Sequence, residues 1–246
     1  MAIATEKTVR ELALEFPAAT RIFEQLGIDY CCCGHQTLEV ACIRAGVLVS
    51  RVEESLTSTE PTERERNWHT EPLFGLIEHI KNTHHRYTRD EINRLGPLFE
   101  KVCSVHHSNH PELLSMQATF GALARELDMH MMKEEAVLFQ YIERMEEAVI
   151  ANEPVIPPPF VAVRNPIAMM IREHDDAGVA LRALRDASHG YTIPADACLS
   201  YQTLYKALAV FEADLHQHIH LENNILFPRA LELEPRVLSA VRLLRS

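Results

Sequence analysis

Hydrophobic residues recur every three to four positions over long stretches of the chain, which is the spacing of one face of an α-helix. From about Thr70 onward four such stretches follow one another, and the alternating pattern typical of strands is almost absent. The pattern predicts an all-α protein whose main part is an antiparallel four-helix bundle. Each stretch begins near a helix-start signal. These signals are Thr70 with Pro72, Asn109 with Pro111, Asn165 with Pro166, and Thr192 with Pro194.

Glycine and proline predict where the later helices end. Gly190 is expected to close the third helix and Pro228 to interrupt the fourth, with a short helix over residues 235–244. The connection over residues 151–164 contains three consecutive prolines, which favour an extended crossover. We therefore expect one long connection in the bundle.

The first part of the chain has shorter segments. Helical spacing runs from Thr8 to Phe16 and resumes after Pro17 and after Gly34, with a break at Gly27. A polar stretch follows, TSTEPTERERN, which is dense in charge and poor in apolar side chains, as linkers are. The predicted organisation is a small helical domain over 1–58, a linker over 59–70 and the bundle over 71–246.

Charge and composition indicate which kinds of partner and which cellular compartment to expect. The formal net charge of −11 argues against nucleic acid as the main partner, because phosphate binding needs a basic face. No apolar run approaches the roughly 20 residues that cross a bilayer, and the first residues do not resemble a signal peptide. We expect a cytoplasmic protein without a membrane partner. Its six cysteines, including the adjacent Cys31, Cys32 and Cys33, are then expected to be free thiols.

A repeated motif, H-x-x-x-E-x-x-(V/I)-L-F, carries the candidate chemistry. It occurs on the second helix from His130 and Glu134, and on the fourth from His218 and Glu222. Four residues of helix bring each histidine and glutamate onto one face, one turn apart. That face is apolar, since His130 shares it with residues expected in the core. These are Leu123, Leu127, Val137 and Tyr141.

The other two helices each offer one histidine at a matching interval. His130 follows His85 by 45 residues, and His218 follows His174 by 44 residues. The bundle is therefore predicted to consist of two similar helical hairpins. Helical phase places His84 nearer the centre of the apolar face, whereas the repeat interval favours His85. Both remain candidates on this evidence.

Four histidines and two glutamates facing a core predict a pair of metal ions. A buried glutamate is costly unless a cation compensates its charge. Carboxylates bridge two irons well and imidazoles fill terminal positions, although manganese or mixed occupancy stays open. An oxo or hydroxo bridge and a small ligand such as O2 or NO would complete the coordination.

Simpler interpretations apply to most other histidines. His216 and His220 are expected on the outer face of the fourth helix, and His79 either beside the site or in a structural role. The Glu-x-x-His spacing of ferritin-like sites and the H-E-x-x-H motif of zinc proteases are both absent from the sequence. Five further histidines lie in or near loops. They are His69, His106, His107, His110 and His189.

Two parts of the chain resemble the repair-of-iron-centres family, the YtfE and ScdA type of hemerythrin-like di-iron proteins. The first is Asp29-Tyr-Cys-Cys32 with Gly34 and Gln36-Thr-Leu, which is similar to the family's double-cysteine signature. The family tends to have glycine where Cys33 stands. The second part comprises three stretches of the bundle. They are His130-Met-Met-Lys-Glu-Glu135, Glu173-His-Asp with Ala177-Gly178, and Leu221-Glu-Asn-Asn with Leu226-Phe-Pro-Arg-Ala230.

The resemblance implies a ligand set and a role. It implies two non-haem irons with His85, His130, His174 and His218 as terminal ligands and with Glu134 and Glu222 as bridges. His84 stands where the family usually has tyrosine. It also implies repair of iron–sulfur clusters damaged by oxidative or nitrosative stress, by iron delivery or by NO reduction, with damaged iron–sulfur proteins as partners. Cys31 and Cys32 are candidates for thiol transfer or partner contact, and equally for buried structural residues.

Two other functions compete with repair. A hemerythrin-like module would bind or sense O2 or NO without repair activity, although an oxygen store has no evident need for the double-cysteine domain. A bundle without metal would serve only in interactions. The sequence leaves open whether the protein is an enzyme and whether it forms a homodimer.

Overall fold

The protein is built from helices. A computed structural model describes residues 6–16, 18–58, 68–153, 155, 158 and 160–243. Within these ranges there is no strand, and one isolated β-bridge joins Thr8 and Thr37. The prediction of an all-α fold is confirmed. The α-helices are α1 Val9–Glu15, α2 Ala19–Leu26, α3 Leu38–Ala45, α4 Val49–Ser58, α5 Leu73–His79, α6 Arg86–His106, α7 Glu112–Lys133, α8 Phe139–Ala151, α9 Arg164–Ala187, α10 Leu199–Leu221 and α11 Phe227–Leu243.

Three π-helical turns join pairs of these helices. Ile80–His85 lies between α5 and α6, Glu134–Leu138 between α7 and α8, and Glu222–Leu226 between α10 and α11. Each turn makes one continuous helical stretch out of its two neighbours. Together with α9, the three joined stretches are the four long helical stretches that the sequence predicted. Single π turns inside helices are rare and occur frequently at functional sites. All three contain a candidate metal ligand.

The chain divides into two compact units. One is Met1–Glu71 together with His216–Pro228, and the other is Pro72–Leu215 together with Arg229–Ser246. Residues 59–67 of the predicted linker lie outside the described residues. The domain boundaries drawn from the sequence, 1–58, 59–70 and 71–246, stay a prediction.

Short helices in the first unit are fixed by their ends. At the start of α1 the Thr8 hydroxyl accepts from the Glu11 N–H at 3.1 Å, and the Glu11 carboxylate accepts from the Thr8 N–H at 2.7 Å. This reciprocal pair satisfies two backbone donors that a helix start leaves open. At the end of α2, Gly27 has a φ of +67°, which favours glycine. These signals explain why sequence pattern placed α1 and α2 well.

Aromatic contacts hold the long helices together in the second unit. The rings of Phe99 on α6 and Phe120 on α7 lie 5.3 Å apart, and Phe120 is 5.8 Å from Phe211 on α10. Arg185 on α9 donates to the buried carboxylate of Glu212 on α10 at 3.0 Å. Each helix therefore buries one apolar face against its neighbours, as the sequence periodicity predicted.

Helix ends near the last prolines differ from the sequence prediction. Pro228 and Pro235 both lie within the helix Phe227–Leu243, where an interruption and a separate short helix were expected. Pro228 directly follows the π turn Glu222–Leu226, where the regular α-helical hydrogen bonding is already interrupted. Beside Pro235, the Glu234 carboxylate accepts from the Val163 N–H at 2.7 Å and from the Tyr141 hydroxyl at 3.3 Å. These tertiary contacts offset the lost helical hydrogen bond.

Among the described helices, none combines the length and the apolar character that crossing a membrane requires.

Candidate metal centre

Glu134 is the centre of a buried cluster in the second unit. It opens the π turn after α7, and its side chain has no solvent exposure. One carboxylate oxygen, Oε2, lies 3.4 Å from His85 Nε2 and 3.3 Å from His130 Nε2. A single carboxylate is therefore close to the Nε2 atoms of two buried imidazoles on different helices.

His174 on α9 completes this cluster. Its Nε2 atom lies 3.0 Å from His130 Nε2, and both side chains are buried. Ligand atoms of His130, Glu134 and His174 all lie within 4.8 Å of one another, which allows a metal ion to be held between them. Two imidazole nitrogens and a carboxylate oxygen form a donor set that suits iron and related transition metals.

Carboxylates outside this cluster orient its histidines. Glu135 Oε1 lies 2.7 Å from His85 Nδ1, and Glu173 Oε2 lies 2.7 Å from His130 Nδ1. An Nδ1–H that donates to a carboxylate leaves the Nε2 lone pair facing inward, as in many metal sites. This orientation is the observation that best supports metal binding, because a purely structural core histidine does not need it.

Basic side chains hold these two carboxylates in turn. Arg89 Nη2 lies 2.9 Å from Glu135, and Lys133 forms an ion pair with Glu173. The hydrogen bond from His85 lowers the pKa of Glu135, and Arg89 adds to the effect. Burial opposes the change at Glu173, but hydrogen bonds from Lys133 and His130 lower its pKa. Both carboxylates are therefore ionised when they accept from the histidines.

The second copy of the repeated motif lies in the first unit. His218 Nε2 is 3.1 Å from Glu222 Oε1, and both side chains are buried. Glu222 opens its π turn as Glu134 does, so the two copies share a backbone irregularity as well as a motif. The sequence had no signal for these turns.

The π turns also resolve two questions of helical phase. His85, which the repeat interval favoured, faces Glu134, whereas His84 Nδ1 lies 3.0 Å from Asp214 Oδ1 on α10. Val137 was expected in the core but is 44% exposed, while Leu138 is buried. A π turn takes up one extra residue, so positions that follow it are displaced by about one residue from a uniform α-helix, roughly 100°.

Two histidines that were assigned to the outer face of the fourth helix are placed differently. His220 is only 3% exposed, and its ring lies 5.4 Å from that of Tyr30. Its neighbour His216 is half-buried and lies 2.9 Å from Glu24. The prediction was wrong because N-terminal residues cover this face. Burial lowers the pKa of His220 to about 4, so it is neutral and pairs with Asn224 at 2.9 Å.

A cavity of about 480 Å³ in the second unit reaches the cluster. His130 and His174 are among the residues that line it. Apolar residues of α7 and α9 line its wall, and charged side chains of both signs lie among them. The charged residues are Arg125, Glu126, Lys133, Glu173 and Asp176. The cavity is large enough for a small ligand to approach the two histidines.

The double-cysteine segment has free thiols, as expected, and lies in the first unit. Cys31 is buried, and Cys32 and Cys33 are half-buried. The Sγ atoms of Cys31 and Cys32 are 3.6 Å apart. Two asparagines that follow Glu222 donate to this segment, Asn223 to the Cys31 carbonyl at 3.3 Å and Asn224 to the Tyr30 carbonyl at 3.1 Å.

Two known protein families match this chain. Residues 76–230 match the hemerythrin HHE cation binding domain, and residues 5–60 match the ScdA_N domain, described as a domain of unknown function. The first match spans every candidate iron ligand, and the second spans the three adjacent cysteines.

Proteins similar over nearly their whole length are named for cluster repair. The iron–sulfur cluster repair protein YtfE of Pectobacterium carotovorum is 36% identical over 233 residues, which is 93% of this chain and 98% of the relative. YtfE of Musicola paradisiaca is 37% identical, with coverage of 93% and 98%. A probable iron–sulfur cluster repair protein of Haemophilus influenzae is 35% identical, with coverage of 94% and 99%. The chain therefore belongs to the YtfE family of iron–sulfur cluster repair proteins, hemerythrin-domain proteins with an ScdA-type N-terminal domain.

Proposed function

We propose that this protein takes part in the repair of iron–sulfur clusters damaged by oxidative or nitrosative stress, using two bound irons. The observation that carries the proposal is the buried His130–Glu134–His174 cluster with its carboxylate-oriented imidazoles. Membership of a family whose relatives are named for this repair supplies the biological role. The proposed ligands are His85, His130, His174 and His218 with Glu134 and Glu222 as bridges.

Two irons, rather than one, are supported by the internal repeat. Each motif supplies one histidine and one glutamate a turn later, and each glutamate opens a π turn. The hemerythrin match covers both motifs in one domain. We infer that Glu222 bridges the irons beside one pair of histidines, as Glu134 does beside His85 and His130. Bound iron would supply redox chemistry and open positions for a small ligand such as O2 or NO.

The residues around the cluster give the protein control over its iron. Glu135 and Glu173 keep two imidazoles turned inward, which favours retention. The cavity beside His130 and His174 is lined by apolar and by charged side chains, and it allows a small ligand or an ion to approach these histidines. These features suit both proposed modes of repair, which are NO reduction and iron delivery, in which iron is also the cargo.

We propose that Cys31 and Cys32 act in the delivery of iron to a client protein. Asn223 directly follows Glu222 and donates to the Cys31 carbonyl, so the thiols and the second motif are neighbours within the first unit. Thiols bind iron in iron–sulfur proteins, and they are therefore suitable for accepting iron or contacting a client. A simple O2 carrier would have no use for them.

Replacing both Cys31 and Cys32 with serine is expected to impair repair while the bundle keeps its two irons. The thiols, and not the bundle ligands, are removed. The measurement is the recovery of activity of a dehydratase whose [4Fe–4S] cluster has been damaged with peroxide or NO, together with iron per chain. The exposed Cys198, replaced with serine, is the matched control and should repair normally.

Unchanged repair by the double variant would reject the transfer role of the thiols. The wild-type protein tests the wider proposal in the same assay. If iron-loaded wild type binds O2 reversibly, keeps its iron and leaves damaged clusters unrepaired, the hemerythrin-like binding module is the correct function instead.

A further inference from the structure

The segment from Asp29 to Cys33 is folded around one carboxylate. Asp29 Oδ1 accepts from the backbone N–H of Cys32 at 2.9 Å and from that of Cys33 at 3.2 Å. Although burial opposes it, these backbone hydrogen bonds lower the pKa of Asp29, so the carboxylate is ionised. The fold brings the Cys31 and Cys32 thiols together beside this negative charge.

Distances among the three side chains match those around a metal ion. The two Sγ atoms are 3.6 Å apart, and Cys31 Sγ is 3.5 Å from Asp29 Oδ1. In a tetrahedral site with metal–sulfur bonds of about 2.3 Å and metal–oxygen bonds of about 2.0 Å, these separations are roughly 3.8 Å and 3.5 Å. Ligand atoms of all three residues lie within 4.8 Å of one another. The triplet thus has nearly the spacing of three corners of such a site.

We infer that Asp29, Cys31 and Cys32 form a second metal site, which binds one thiophilic divalent cation such as Zn²⁺ or Fe²⁺. Two sulfur donors and one oxygen donor select a borderline-soft ion over Mg²⁺ or Ca²⁺, which take oxygen ligands. The binding itself does not depend on the proposed repair function. If that function is correct, this site would bind iron transiently before it is transferred to a client.

Proton chemistry at the thiols is consistent with this site. The hydrogen bond with Cys32 and burial raise the pKa of Cys31, and burial raises that of Cys33 to about 11. A bound cation displaces the protons of the thiols that bind it. Cys33 also interacts with Asp29, and its Sγ lies 4.0 Å from Arg44.

Contacts outside the triplet hold it in place. Asn223 and Asn224 donate to the carbonyls of Cys31 and Tyr30. Gly34 packs so closely that a Cβ there would lie 3.0 Å from the Tyr30 carbonyl oxygen and 3.1 Å from Asn224 Oδ1. Because the protein fixes the segment by these contacts, binding a cation requires little ordering.

Cobalt(II) titration of the iron-loaded full chain tests the inference. Co²⁺ bound to thiolates absorbs strongly in the near ultraviolet, whereas His and carboxylate ligands give no such band. Under anaerobic reducing conditions we expect one equivalent to bind with this band. Replacing both Cys31 and Cys32 with serine should abolish it, and Asp29→Asn should weaken cobalt binding roughly 10- to 100-fold. Cys198→Ser is the matched control and should titrate as wild type does.

Two outcomes would overturn the inference. One is wild-type protein that shows no thiolate band with cobalt in excess, and the other is a double serine variant that keeps the band. Should the double variant fold poorly by circular dichroism, Cys32→Ser alone must still weaken the band, because Cys32 is only half-buried. Iron per chain, measured before and after each titration, reports the bundle separately, so failure at the thiols is distinguishable from failure of the di-iron proposal.

Discussion

Glu134→Ala is expected to strip the protein of its iron. Glu134 Oε2 lies 3.4 Å from His85 Nε2 and 3.3 Å from His130 Nε2, and we propose that this carboxylate bridges the two irons. Removing even an outer partner of a metal ligand costs 10- to 100-fold in affinity, and loss of a bridging ligand costs at least that much. We expect iron per chain, measured after anaerobic loading and desalting, to fall from two to well below one.

A matched variant distinguishes the loss of a metal ligand from the loss of a surface carboxylate. Glu147 lies on α8 in the same helical stretch and is exposed, and Glu147→Ala should retain both irons. The internal repeat predicts that Glu222→Ala behaves like Glu134→Ala. Retention of two tightly bound irons by Glu134→Ala would contradict the assignment of this residue.

Removing iron from the wild-type protein is expected to lower its thermal midpoint by roughly 8–16 °C. Iron held only by the folded protein stabilises it by about 4 kcal/mol when it is present at a thousand times its dissociation constant. For a chain of this size each kcal/mol shifts the midpoint by about 2–4 °C. The physical reason is that cations offset the cost of burying Glu134 among imidazoles. Scanning calorimetry of iron-loaded and chelator-treated protein provides the measurement.

The stabilisation by iron is expected to depend on the metal-binding residues and to be reversible. Reloading with iron should restore the midpoint, and Glu134→Ala should show almost no difference between the two states. Identical transitions for loaded and chelated wild type would mean that iron is not held in the folded core.

Periodicity and spacing predicted the helical fold and brought the H-x-x-x-E pairs to attention. Local signals were sufficient where local interactions decide the structure, as at the Thr8 cap and at Gly27. The duplicated motif was informative because it needs no knowledge of tertiary contacts. By this means His85, which faces Glu134 in the structure, was favoured over His84 even though helical phase pointed the other way.

Tertiary packing and backbone irregularity explain what the sequence missed. A uniform 100° rotation per residue cannot anticipate π turns, and for that reason Val137 was placed in the core. His220 was placed on the outer face because nothing in its own helix reveals that Tyr30 covers it. The partners that orient the histidines, Glu135 and Glu173, are likewise visible only once the helices are packed.

Mössbauer spectroscopy of the native protein, combined with metal quantification, tests the central claim most directly. Six side chains from the two motifs and two further helices are proposed to hold a pair of irons. The account predicts two irons per chain, with magnetic coupling through shared bridging ligands. A single iron, or two irons without coupling, would contradict it.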